Sequence, residues 1–201
     1  SDDLVRGWEA VDAYQIGIMK TVVESPPSGF DETVDAAVDQ LKALLPDDIR
    51  AQLTLFQFQG PHLIPSGGTY APLDFLQIGL RAKLERDIPF LLIVTEVELT
   101  PSTAPYVLAL PSQLTNVSVI STKRLSPAFW GGEPDLALTR DRLTALMVHC
   151  LGHMLNLPHV DDPHNVMYDF SSVDSLAGMD RLNEEQAERL RHYLPIEARE
   201  K

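Results

Sequence analysis

The chain has 201 residues, 44% of them hydrophobic and 22% charged, which is enough for a packed core and too apolar for wholesale disorder. Its 16 basic and 29 acidic side chains give a net charge of −13, a surface that repels phosphates and argues against a nucleic-acid or anionic-membrane partner. A single cysteine, Cys150, excludes an internal disulfide and a four-cysteine zinc site.

Residues 1–12 read as a helical or loose arm. Residues 13–23 (AYQIGIMKTVV) read as a β-branched strand, closed by the turn signal SPPSG at 25–29. A helix is predicted over 32–45, capped by Asp31 and ended by Pro46; Val34, Ala37, Val38, Leu41, Leu44 and Leu45 recur at its spacing. Residues 51–59 (AQLTLFQFQ) alternate as a strand and 60–70 form a loop. A helix over 73–86 follows, with Pro72 suited to its first turn.

Residues 90–97 (FLLIVTEV) are nearly continuous apolar, as in a central strand buried on both faces. Residues 106–110 are a short candidate strand framed by Pro105 and Pro111, which belongs at a sheet edge. Residues 117–121 (VSVIS) are a further strand, and 127–134 a turn-rich loop. A long helix is predicted over 138–156 with Thr139 as its cap. Residues 157–180 show little pattern, and a last helix runs over 184–193, capped by Asn183 and ended by Pro195. Strands alternate with helices and then give way to a helical last third. That is an α/β layout with a mostly parallel sheet and one edge strand.

Four of the six histidines fall between 149 and 164. His149 and His153 are one turn apart on the same helix face, so their rings can grip one ion. His159 lies six residues further, so the chain must turn back after about residue 156. Asn156 tolerates the left-handed backbone that closes a helix, and Pro158 prevents continuation. Two ligands on a helix, a stop and a third ligand on the return make a three-imidazole site with an open fourth position, as catalytic zinc requires. The bland alternative is three hydrogen-bonded histidines beside an apolar helix.

The stretch resembles the metzincin signature H-E-x-x-H-x-x-G-x-x-H followed by a Met-turn. His149, His153 and His159 match the three zinc ligands, Asn156 stands at the glycine position, and Met167 matches the methionine beneath the metal. Its alternative is an ordinary core methionine. The order of 92–99 (LIVTEVEL), 106–110, 117–125 (VSVISTKRL) and the helix is similar to the archaemetzincin branch, as is Phe170-Ser171-Ser172 after the Met-turn. The stretch from His153 to Met167 also resembles matrixins.

The resemblance implies a zincin-like fold: a mixed, mostly parallel twisted sheet with an antiparallel edge strand, an active-site helix, a Met-turn and a C-terminal helix. It reads 1–201 as one catalytic-type domain, with sheet and helices to 156 and a C-terminal subdomain from 157. It implies one Zn2+. Archaemetzincins hold a second, structural zinc through four cysteines; the first falls at Val160 here, so that zinc is expected to be absent. It places a peptide or protein ligand on the edge strand (Tyr106, Val107, Leu108, Ala109 and Leu110) and against Phe170, by strand addition.

Cys150 stands where the family carries the glutamate general base. A thiol is shorter and shuttles protons poorly at neutral pH, so metal binding is expected to survive and hydrolysis to be largely lost. Cys150 is otherwise a buried small apolar residue, a fourth metal ligand or a nucleophile. The competing readings are an active zinc endopeptidase or aminopeptidase with another base, and a metal-free interaction domain. Asp161 and Asp162 are expected to orient ligand rings or bind the loop. No spanning segment or signal peptide is visible and there is a single cysteine, so a cytoplasmic location is expected; a monomer is expected as well.

Overall fold

A computed structural model of the chain describes residues 14–22, 29–61, 69–99 and 108–200. The elements in chain order are β1 (Tyr14–Thr21), α1 (Phe30–Leu44), α2 (Asp47–Ala51), β2 (Leu53–Gln59), β3 (Thr69–Tyr70), α3 (Pro72–Arg86), β4 (Phe90–Thr95), β5 (Glu98–Leu99), β6 (Ala109–Ser112), β7 (Val117–Ser121), α4 (Leu136–Met154) and α5 (Glu184–Glu200).

The main sheet has the order β2-β1-β4-β7-β6. Its first four strands are parallel, and β6 pairs antiparallel with β7 at the edge. β4 is the central strand, and all six of its residues are buried. Its alternate side chains serve two cores, as the two-residue period of a strand requires. Phe90, Leu92 and Val94 face a layer that includes Val34, Leu41, Leu143 and Leu146 from α1 and α4. Leu91 and Ile93 face the other side with Phe75 of α3, Val117 and Val119. The mixed α/β fold with one antiparallel edge strand is the layout expected from the sequence.

Several boundaries differ. α1 starts at Phe30 after Gly29, whose φ of +89° suits glycine alone, so Asp31 lies inside the first turn rather than capping it. α2 is five residues long, too short for a periodic signal; only its last residue, Ala51, falls in the strand expected over 51–59, which begins at Leu53. β3 and β5 form a separate two-stranded parallel sheet.

β6 covers 109–112 and contains Pro111, where 106–110 were expected; an edge strand tolerates the missing N–H. Tyr106 and Val107 lie outside the described residues, as does the arm at 1–12. α4 begins two residues early because Asp135, rather than Thr139, accepts the Leu138 N–H at 3.0 Å. α5 does not stop at Pro195. The proline removes one helical hydrogen bond, and the turn beyond is held from outside, with Asn116 Nδ2 donating to the Glu197 carbonyl at 3.5 Å.

Candidate metal centre

The centre is built where α4 ends. Met154 is the last helical residue, and Asn156 takes φ +65°. The Leu157 N–H donates to the Gly152 carbonyl at 2.9 Å and the Asn156 N–H to the His153 carbonyl at 3.1 Å. These two bonds are the paired pattern of a left-handed helix stop, which satisfies carbonyls that the helix leaves open. The chain reverses here and carries His159 back over the last turn of α4.

A second turn closes the site from below. The Val160 N–H donates to the Met167 carbonyl at 3.0 Å, and the Met167 N–H donates to Asn165 Oδ1 at 2.8 Å. Met167 is fully buried. A Cβ built on Gly152 would lie 2.4 Å from Met167 Sδ, so the thioether approaches the helix backbone only because residue 152 is glycine. Asn165 is held in turn by Gln186 near the start of α5, each amide donating to the other at 2.9 and 2.7 Å. Gln186 also exchanges bonds with Asn183, whose side chain caps the helix as the sequence predicts.

These two turns bring His149, His153 and His159 together. One donor nitrogen from each lies within 4.8 Å of the others, and among the described residues this is the one such group of histidine, cysteine or acidic side chains. His153 Nε2 lies 3.1 Å from both His149 Nε2 and His159 Nε2. Two zinc–nitrogen bonds of about 2.0–2.1 Å at a tetrahedral angle separate their nitrogens by about 3.3 Å, so the spacing fits that ion. His149 Nδ1 sits 2.7 Å from the Val166 carbonyl oxygen. Only a protonated Nδ1 can donate there, which leaves Nε2 as a lone pair facing the cluster.

Electrostatics keep two of the rings neutral and ready to ligate. Burial pushes His149 below the usual imidazole range, and nearby His159 adds to this against the pull of the Val166 carbonyl and Asp169. Burial, then His149 and His159, push His153 down to about 4. Facing lone pairs repel one another unless a cation sits among them, so the donor set suits a divalent ion.

Cys150 is 0% exposed. Burial pushes its thiol up to about 12, against the opposing effect of the Ser118 hydroxyl from β7. Beside it opens a cavity of about 380 Å³ that reaches His149, His153, Leu146, Phe170 and, from the edge strand, Leu108, Ala109 and Pro111. Phe170 packs edge-on against His149, ring centroids 5.3 Å apart. Leu110 packs with the core on the opposite face of the sheet. Asp169 Oδ1 is 3.9 Å from His159 Nδ1. Asp162 accepts the His164 N–H at 3.0 Å and serves its own loop.

Sequence reasoning passed over Leu146 and the Ser172-Val173 wall of this cavity. Leu146 was within reach: it lies three residues before His149, on the same helix face. The Val166 carbonyl carries no side-chain signal at all.

No protein-family profile matches the chain. An archaemetzincin of Pyrococcus furiosus is 35% identical over 80 residues, which are 40% of this chain and 42% of that protein. The chain spans between 30% and 55% of the length of the curated archaemetzincins it matches. In fold, it is similar to the crystal structure of a zinc-dependent peptidase from Methanocorpusculum labreanum, with a TM-score of 0.67, 20% identity, and 87% of this chain and 100% of that one covered. An archaemetzincin from Methanopyrus kandleri gives a TM-score of 0.70 and 19% identity over 90% of this chain and 96% of that one.

The sheet and the three-imidazole cluster therefore define a zinc-peptidase-type fold. Within that class the chain is archaemetzincin-like, in architecture and in sequence. Zinc is the metal that these relatives and the three-histidine group together support. Among the described residues, no helix is long and apolar enough to cross a membrane.

Proposed function

We propose that this chain is a zinc-binding archaemetzincin-like protein that recognises extended peptide and hydrolyses it poorly. His149, His153 and His159 hold one zinc, Met167 is the Met-turn residue beneath it, and the edge strand β6 with Phe170 forms the peptide cleft. The carrying observation is the 3.1 Å spacing of the facing Nε2 atoms, with the His149 tautomer fixed by Val166.

Bound zinc supplies Lewis acidity toward a carbonyl and acidifies water. The chain's own residues supply the rest unevenly. The three imidazoles orient the ion. β6 offers backbone pairing at a sheet edge, and Leu108 and Ala109 lead into the cavity. No strong base stands at position 150, because a buried thiol held at about 12 neither takes a proton at pH 7 nor returns one. That is the physical ground for binding without efficient turnover.

Two measurements test the reading. Elemental analysis of the purified chain is expected to give one zinc per molecule, and a chain without affinity for zinc overturns it. A peptide library incubated with the zinc-loaded chain is expected to bind and remain largely intact. Rapid cleavage that a chelator abolishes overturns the impaired-hydrolysis part.

A further inference from the structure

We infer that a second cavity, which shares two wall residues with the first and is lined by Arg142, is a carboxylate-binding subsite of the peptide cleft. The inference rests on the peptide-binding reading above and names the chemistry of the peptide. The cavity measures about 490 Å³ and shares the Ser172-Val173 wall with the cavity beside His149. Its other walls include Trp130, Arg142 and Asp174.

Arg142 and Leu146 precede His149, Cys150 and His153 on α4 at spacings that keep all five on one face. The helix therefore lays an apolar stretch and then a cation along one side of the cleft. Seven residues separate Arg142 from His149, about 10 Å of helix rise. Extended peptide covers that distance in about three residues.

The Arg142 guanidinium is unusual in this surroundings because it is only 6% exposed. One terminal nitrogen donates to the Leu125 carbonyl at 2.9 Å and the other to Asp174 Oδ1 at 3.2 Å. Its Nε–H is buried and has no partner. A buried cation needs its donors satisfied, so an unmet N–H on a side chain that lines the cavity favours an incoming anionic oxygen, which reaches it as the exposed Asp174 contact gives way. Arginine's fork matches a carboxylate in two bonds. Asp174 holds the ion pair from outside: its side chain is 89% exposed, so water screens the contact and a bound carboxylate can compete for it. Trp130, half exposed on the rim, adds an apolar flank for the peptide. In a chain of net charge −13 this placement gives an acidic group a local reason to enter this cleft.

The carboxylate can belong to an acidic side chain or to the peptide's C-terminus, and the probes separate the two. Fluorescein-labelled hexa-alanine peptides are made with a single Glu moved along the chain, each matched to a Gln version, and each with a free or an amidated C-terminus. Binding to the zinc-loaded protein is read by fluorescence anisotropy. At one register the carboxylate form is expected to bind about tenfold or more tightly than its neutral partner. Asp174→Asn removes the competing carboxylate at an exposed position and should widen the gap between carboxylate and neutral peptides severalfold. Arg142→Gln should erase it.

Peptides that bind equally in carboxylate and neutral forms, in both the parent and Asp174→Asn, overturn the subsite and leave peptide recognition standing. A preference that survives in folded Arg142→Gln overturns it as well. Should Arg142→Gln fail to fold, Asp174→Asn decides alone. Zinc-loaded protein that binds none of the peptides overturns both the subsite and the reading beneath it.

Discussion

The imidazole of His149 is locked to the carbonyl of Val166 by a 2.7 Å contact that ties α4 to the turn carrying Met167. One bond thus fixes a tautomer, aims a lone pair and joins the two chain segments that form the site. Such outer contacts are worth about 10–100-fold in metal affinity. Removing a ring itself should cost more. Replacement of His149, His153 or His159 by alanine is expected to lower zinc affinity by more than about a hundredfold, measured by competition with a chromophoric chelator. Retention of zinc at parent affinity in any one of the three would show that its ring does not ligate.

Asn156 is expected to govern the third ligand through backbone alone. Its φ of +65° costs an ordinary L-residue roughly 1–2 kcal/mol. Asn156→Gly should be close to neutral, whereas Asn156→Val should lower stability by about that amount and weaken zinc binding as His159 shifts. Urea midpoints and zinc titrations of the two variants provide the comparison.

The Asn165–Gln186 amide pair should matter to stability more than its distance from the rings implies. Asn165→Ala leaves the Gln186 Nε2 donor and the Met167 N–H without their partner, while Gln186 Oε1 keeps the Asn183 N–H. With an unmet buried group costing about 1–3 kcal/mol, the expected loss is about 2–4 kcal/mol. The denaturant midpoint should fall at an unchanged slope, and a fall below about 1 kcal/mol would mean that water replaces the pair.

Much of this site was legible because its signals are local. The His149–His153 spacing, Asn156 and Pro158 act within one helix end, and the structure gives Asn156 the left-handed backbone expected of it. The apolar run that became β4 was equally plain. What escaped depends on partners distant in sequence. α2 is too short to show a period, β3 and β5 pair across 29 residues, and α5 continues past Pro195 because Asn116 anchors the far turn. The start of α4 was misjudged because Leu136 is exposed and lies off the apolar face, so the hydrophobic pattern begins after the helix does. Arg142 was invisible for a related reason: a charged residue in an apolar helix reads as solvent-facing until the fold buries it.

Protonation of the metal-free cluster should be a stability switch of defined sign. His153 binds a proton at about 4 in the folded chain and near 6.5 when unfolded, and burial moves His149 the same way. Between those values the unfolded chain holds more protons, so stability falls as pH drops from about 6.5 toward 4. The urea midpoint of chelator-treated protein is expected to be lower at pH 5 than at pH 7, and to recover this part in a His153→Gln variant. A midpoint that rises on acidification would contradict the assignment.

Cys150 gives two linked expectations. Its buried thiol should resist iodoacetamide in the folded protein, and raising the pH from 7 to 10 should not speed labelling, since ionisation is deferred to about 12. Denaturant should expose it at once. The same residue borders the cavity beside His149 and His153, so a longer side chain has open space to enter. Cys150→Glu would place a carboxylate there, and burial would raise its affinity for a proton, as a general base near neutral pH requires. Positioned general bases contribute about 10²–10⁴-fold, and peptide cleavage by the zinc-loaded variant should rise by that order over the parent. If the variant folds, holds zinc and still leaves the peptides intact, the thiol is not the only thing that separates this cleft from a working peptidase.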